Sequence, residues 1–208
     1  PDVMGEADLV EEVARVASLT KLQGKPLPRA QVGVPKPILS PMQKREQIAR
    51  RTSAALGYNE CVTYSFIDSA SAKLFGGGGD ATMLANPISS EMSHMRPDLL
   101  PGLLQAAARN QARGQMNLAL FEVGHAFHGG EPEEQHVQVS GLLVGRTGPK
   151  DVHGASRPVD LFDAKADAEA VLNALGAPEK VQILRDGPAW FHPGRQGRIC
   201  LGPKKVLG

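Results

Sequence analysis

Two groups of side chains in this sequence have the types and spacing that could do chemistry. The first is acidic: Asp2, Asp8, Glu11 and Glu12. On a helix Glu12 lies one turn beyond Asp8, so their carboxylates share a face. Asp2 lies in the preceding coil and could fold back beside them. Hard oxygen ligands grouped this way suit Mg²⁺, which commonly keeps several waters. The plainer alternative is that acidic residues enrich first turns because they complement the helix dipole. The second group centres on Arg96, with Glu91, Glu122 and His125 as the polar groups placed to meet it. Such an arginine either clamps a carboxylate or phosphate in bidentate fashion, pairs with a glutamate on a sheet, or bonds the backbone of its own loop. It belongs to a run from Asn86 to Gly102 in which polar residues, prolines and an arginine crowd against the start of an amphipathic helix. That density reads as a loop that positions something.

Other candidates offer less. His192-Pro193-Gly194-Arg195 reads as a rigid polar turn, and no Ser or Cys stands where His192 could activate it as a nucleophile. Gly76 to Gly79 is followed by Asp80 and lacks the Lys and Ser/Thr of a phosphate cradle; no dinucleotide fingerprint occurs. Lys204-Lys205 is two charges, far short of a phosphate-tracking stripe. Cys61 and Cys200 stand alone, without metal-ligand spacing or a disulfide pattern.

These groups must be held by short elements. Asp8 to Ala17 is a helix candidate with Leu9, Val13 and Val16 on one face, capped by Asp8 with Glu11 completing the box. Residues 24–40, with Pro26, Pro28, Pro35 and Pro37, form a linker. The best-specified helix follows: Ser40 at the N-cap, Pro41 in the first turn, Gln43 closing the capping box, and Gly57 ending it. Its apolar face would use Met42, Ile48, Ala49, Ala55 and Leu56. Cys61 to Phe66 alternates, which predicts a half-buried strand with Val62, Tyr64 and Phe66 inside. A short helix spans Asp68 to Phe75. Leu99 to Ala112 is a helix with Leu100, Leu103, Leu104, Ala107 and Ala108 as its buried stripe. Strands are predicted over 117–123, where Glu122 alternates with Leu118 and Leu120, and over 137–144, 181–184 and 197–201. A helix over 163–175 is closed by Gly176. Helices interspersed with such strands imply an α+β fold around a mostly antiparallel sheet.

Composition bounds the rest. The 208 residues are 41% hydrophobic, enough for a real core, but only 4% aromatic, so Leu, Val and Ala must fill it. A formal charge of +1 supplies no global field for nucleic acid. No apolar run approaches the roughly 20 residues that span a bilayer, and the first residues lack a signal-peptide pattern, so a cytoplasmic location is expected. Both ends read as cut from something longer.

Five segments, in order, resemble the β subunit of bacterial phenylalanine–tRNA ligase. Asp8-Leu-Val-Glu-Glu-Val-Ala-Arg15 is similar to the end of its B5 domain. Asn86-Pro-Ile-Ser-Ser-Glu-Met-Ser93 with Arg96-Pro97 and Leu99-Leu-Pro-Gly-Leu-Leu104 is similar to the signature of its central domain. Ala119-Leu-Phe-Glu-Val-Gly124, Val159-Asp-Leu-Phe-Asp163 and Phe191-His-Pro-Gly-Arg195 follow. The resemblance implies a class II aminoacyl-tRNA synthetase fold, an antiparallel sheet flanked by helices, with an N-terminal helix from B5. Residues 1–23 would be the end of B5, 24–40 the linker, and 41–208 a catalytically silent core, truncated at its C-terminus. The family's α subunit binds ATP and phenylalanine and charges tRNA(Phe), and the β domain pairs with it in an (αβ)₂ tetramer. The family's Mg²⁺ carboxylates fall on Asp2, Asp8, Glu11 and Glu12, near the α subunit, with weak or no occupancy expected in this stretch alone. No catalytic residue carries over. Ile48, Asn86, Glu91, Arg96, Glu122 and His192 become structural or interface candidates. The chain departs from an active class II domain, which needs an Arg–Glu pair on a strand–loop–strand over ATP and a Gly-rich motif ending in Arg; neither is found. Two rival readings are a free-standing phosphate- or nucleotide-binding enzyme using Arg96, Glu122 and His192, and a direct tRNA binder.

Overall fold

The computed structural model describes residues 2–28, 38–148, 152–202 and 205–208. The chain divides into two compact units, Pro1–Ile38 and Leu39–Gly208. Part of the expected 24–40 linker, including Pro35 and Pro37, lies outside the described residues, as does Lys204.

In the first unit, helix α1 spans Glu6–Ala17. It begins two residues before the expected start, and Asp8 is not its cap. Gly5 holds that position, and the Asp8 carboxylate reaches back to accept from the Gly5 and Met4 N–H groups at 2.8 and 2.9 Å. A carboxylate in the first turn satisfies donors that no helical carbonyl can reach.

The second unit opens with α2, Pro41–Ala55, as the capping signals predict: Ser40 Oγ accepts from the Gln43 N–H at 3.2 Å, and Gln43 Oε1 accepts from the Ser40 N–H at 2.8 Å. Gly57 follows in the left-handed region, φ +93°. The buried stripe is narrower than the sequence suggests. Only Ala49 and Ser53 are buried, while Met42, Ile48 and Leu56 stay exposed.

Strand β1 (Asn59–Glu60) runs parallel to β4 (Leu118–Phe127), and β4 pairs antiparallel along its whole length with β5 (Gln135–Val144). Between β1 and β4 in the chain come β2 (Phe66–Ile67), α3 (Ser69–Leu74), β3 (His94–Met95), which pairs with β2, and α4 (Leu100–Gln111). After β5 lie α5 (Leu161–Ala174), capped by Asp160, and a small antiparallel sheet of β6 (Gln182–Leu184), β7 (Arg198–Leu201) and β8 (Lys205–Val206).

Strand β4 is the spine because both its faces are covered. Leu120 packs with Leu103, Ala106 and Ala107 of α4, whereas Phe121 and Val123 pack with Ala49 of α2 and with Leu175. Successive strand residues point to opposite sides, so α4 and α2 lie on opposite faces of the sheet. Burial of both faces explains why Leu120 through Val123 form an unbroken buried run. On α4 the expected stripe shifts: Leu103 and Ala107 are inside as predicted, but Ala106 replaces Leu104 and Ala108, which are exposed.

The largest departure is at residues 61–65. They join no strand, and their alternation is inverted. Val62 and Tyr64 face solvent, 92% and 73% exposed, while Cys61, Thr63 and Ser65 are turned inward.

Candidate functional site

The inversion traces to a buried polar network between β4, β3 and the 61–65 segment. Glu122 sits on the α4 side of β4, and Arg96 directly follows β3. The Arg96 guanidinium donates through Nη1 to Glu122 Oε1 at 2.8 Å, and both residues are only 3% exposed. Thr63 completes a directional chain: its Oγ1 accepts from Arg96 Nη1 at 2.9 Å and donates to Glu122 Oε2 at 2.7 Å. Arg96 Nε donates to the His125 carbonyl at 2.9 Å. Backbone bonds fasten the arginine further: its N–H donates to the Ser65 carbonyl, and its carbonyl accepts from Phe127.

Two glycines make the network possible. A Cβ on Gly124 would stand 2.6 Å from Arg96 Nη2, and one on Gly102 would overlap the Thr63 hydroxyl. A glycine inside a strand often marks such a close approach. Magnitudes explain how the network can offset the apolar pattern. Burying Val62 and Tyr64 instead would gain roughly 1.5–3 kcal/mol for each large side chain. Turning Thr63 outward would forfeit its hydroxyl's bonds to two charged groups, each worth roughly 1.5–3 kcal/mol.

The sequence-predicted residues separate clearly. Arg96 and Glu122 meet, in the sheet-bound pairing that was one of the readings. His125 joins only through its backbone carbonyl; its ring is exposed and tilts against Phe127 at 6.4 Å. Glu91 does not join: it lies exposed in the turn Ser90–Met92, and Asn86 is likewise exposed. His192 is exposed, and its Nδ1 accepts from the Gly194 N–H at 3.0 Å, which makes the ring a brace for its own turn. Ile48 stays on the outer side of α2, 40% exposed. Thr63, Gly102 and Gly124 are the members that sequence reasoning missed as a set. The available signals were a hydroxyl between apolar neighbours and glycines within a strand and a helix.

The acidic group takes another form. Among the described residues no three His, Cys, Asp or Glu side chains gather to hold a metal ion. The Met4 N–H, then that of Gly5, holds the Asp8 carboxyl below the usual range. Glu12 is engaged by Arg15 at 2.6 Å. Asp8 and Glu12 thus turn oxygens to donors of the chain itself, while Asp2 and Glu11 are exposed. Asp98 shows the opposite electrostatics: burial pushes its carboxyl up, while one oxygen accepts from the Leu100 N–H at 2.8 Å.

The network is closed. Arg96 Nε and Nη1 and both Glu122 carboxylate oxygens are engaged by each other, by Thr63 and by backbone. With both residues 3% exposed, the geometry counts against the reading in which Arg96 and Glu122 act on a nucleotide.

The layered arrangement is shared with known proteins. A pyrrolysyl tRNA synthetase from Desulfitobacterium hafniense superposes with a TM-score of 0.58 at 14% identity, covering 80% of this chain and 54% of that one. A second structure of pyrrolysyl-tRNA synthetase from the same organism gives 0.55 at 15% identity, covering 78% and 56%. The fold is therefore that of a class II aminoacyl-tRNA synthetase domain, α+β with its sheet flanked by helices. Within that class, residues 26–208 match the phenylalanyl tRNA synthetase beta chain CLM domain, and the chain belongs to this family. It is 78% identical to the phenylalanine–tRNA ligase beta subunit of Ruegeria pomeroyi over 208 residues, all of this chain and 26% of that protein. The corresponding subunit of Cereibacter sphaeroides is 72% identical over 203 residues, 98% of this chain and 25% of that protein. The chain thus spans about a quarter of the length of the curated relatives it matches.

Proposed function

We propose that this chain is the non-catalytic core of a phenylalanine–tRNA ligase β subunit. It supports ATP-dependent attachment of phenylalanine to tRNA(Phe) by assembling with a catalytic α subunit in an (αβ)₂ tetramer. Family membership supplies the frame, and the fate of Arg96 and Glu122 carries the argument. These charged residues, Glu122 on β4 and Arg96 just after β3, pair with each other inside the domain, each only 3% exposed. ATP and phenylalanine belong to the partner, and tRNA is engaged by the whole cytoplasmic enzyme; the formal charge of +1 is consistent with no strong RNA field here. No helix among the described residues is long and apolar enough to cross a membrane. Residues 41–208 form the core, 24–40 the linker and 1–23 the end of the B5 domain. The outer side of α2, where Met42, Ile48 and Leu56 remain exposed, is the docking face, since obligate interfaces resemble an opened core. Magnesium at Asp2, Asp8, Glu11 and Glu12 requires the assembled enzyme, because Asp8 and Glu12 must first give up Met4, Gly5 and Arg15.

Purified full-length β chain, alone and with the α subunit, tests the proposal by phenylalanine-dependent pyrophosphate exchange into ATP and by metal analysis. Exchange and bound magnesium are expected only in the complex, and exchange by the β chain alone would refute the reading. Ile48→Asp is expected to weaken co-purification about tenfold or more, as loss of an interface anchor does, without lowering the melting temperature. Unchanged affinity would reject the α2 face.

A further inference from the structure

The 61–65 segment carries an alternation that should bury Val62 and Tyr64, yet the protein buries Thr63 between them. We infer that Thr63 is a positioning residue: through Glu122 and Arg96 it decides which side of this segment the molecule shows to its surroundings. Because side chains alternate with a period of two, a one-residue change of register would exchange the two faces completely. Apolar patterning favours the wrong face, so register has to be set by something with directional preference. The hydroxyl supplies it. It accepts from Arg96 Nη1 and donates to Glu122 Oε2 together, at 2.9 and 2.7 Å. Neither Val62 nor Tyr64 can replace it there. Val62 offers no hydrogen bond, and Tyr64 carries its hydroxyl at the far end of a ring rather than beside the backbone.

The neighbouring backbone reinforces the same choice. The Thr63 N–H faces Glu122 Oε1 at 3.3 Å, and the Cys61 N–H donates to Phe121 at 2.7 Å, which ties the segment to β4 just ahead of the decision point. On its far side, Ser65 is held by the Arg96 N–H at 2.9 Å. The buried ion pair is thus a template for one register, a use of buried charge that stability alone would not require. The inference concerns this chain's own geometry and does not depend on the identity of any partner.

Hydroxyl-radical footprinting with peptide mass spectrometry on the full-length chain reads the outcome residue by residue. Tyr58 is the internal reference, being half-buried and hydrogen-bonded to Asp167 at 2.6 Å. In the native protein Tyr64 should label much faster than Tyr58, and Thr63→Ser, which keeps the hydroxyl, should leave Tyr64 within about twofold. Replacing the network by apolar side chains (Thr63→Val, Arg96→Met and Glu122→Leu together) removes the template without leaving a buried charge unpaired. Tyr64 labelling should then fall about fivefold while the protein stays folded. Unchanged labelling in that folded variant overturns the inference. Should the triple variant not fold, Thr63→Val alone decides. Amide exchange across 61–65 should rise about tenfold over that of Thr63→Ser, with the rest of the chain unaffected. Equal exchange in the two single variants overturns it as well.

Discussion

Two glutamate–arginine pairs in this protein have nearly the same separation and opposite meaning. Glu12 meets Arg15 at 2.6 Å on α1, with 47% and 62% of their side chains exposed. Glu122 meets Arg96 at 2.8 Å beside α4, with 4% of each exposed. Water competes for the first pair and screens it, so it contributes between nothing and about 1 kcal/mol. The second pair has exchanged its hydration for Thr63 and the His125 carbonyl, and each partner depends on the other. A short distance is therefore a poor guide to importance; what surrounds the pair decides.

The sharpest way to break this contrast is to remove one carboxylate from each pair. Glu122→Ala leaves the Arg96 guanidinium buried without its counter-ion and should destabilise the second unit by roughly 3–5 kcal/mol. Glu12→Ala should cost no more than about 0.5–1 kcal/mol. Urea unfolding of this chain measures both, and comparable losses would refute the assignment of value to burial.

A smaller effect isolates the space the network needs. Gly102→Ala pushes a methyl group into the Thr63 hydroxyl, and overpacking of this kind costs roughly 1–3 kcal/mol. Gly79→Ala serves as the comparison: a methyl group there would meet open space, and φ is −82°. It should change the midpoint little, and an equal loss at both sites would mean that crowding at Thr63 is unimportant.

The gentlest test concerns another exposed pair. The Arg157 guanidinium, helped by the Asp160 N–H, holds the Asp163 carboxyl down to about 2. A depressed folded value means a contribution fully present above the ordinary carboxylate value near 3.8 and lost as pH falls towards 2. Asp163→Asn should flatten melting temperature against pH between about 4 and 2 and leave pH 7 nearly unchanged, because the pair is solvated. A variant that loses most of its stability at pH 7 would contradict this.

How much was legible in the sequence depended on the range of the forces involved. Helix α2 could be read from Ser40, Pro41 and Gln43 because a cap is decided within one turn. The pairing of Arg96 with Glu122 was visible as one of three choices, since an arginine beside a strand glutamate has few alternatives once both are buried. Glu91 and His125 had equal claim on paper and lost it to geometry: a turn carries Glu91 into solvent, and the His125 ring points outward. The acidic cluster illustrates a different limit. Four carboxylates close in sequence said nothing about the backbone N–H groups and the arginine that would claim two of them.

From its residues alone this protein disclosed its family, its α+β composition and the local starts and stops of its principal helices, because short-range hydrogen bonding and apolar periodicity are written along the chain. The inward turn of Thr63 was settled only in three dimensions. It depends on Arg96, Gly102 and Glu122, residues 33 or more positions away, whose buried charges and missing side chains together outweigh the preference of Val62 and Tyr64 for the interior.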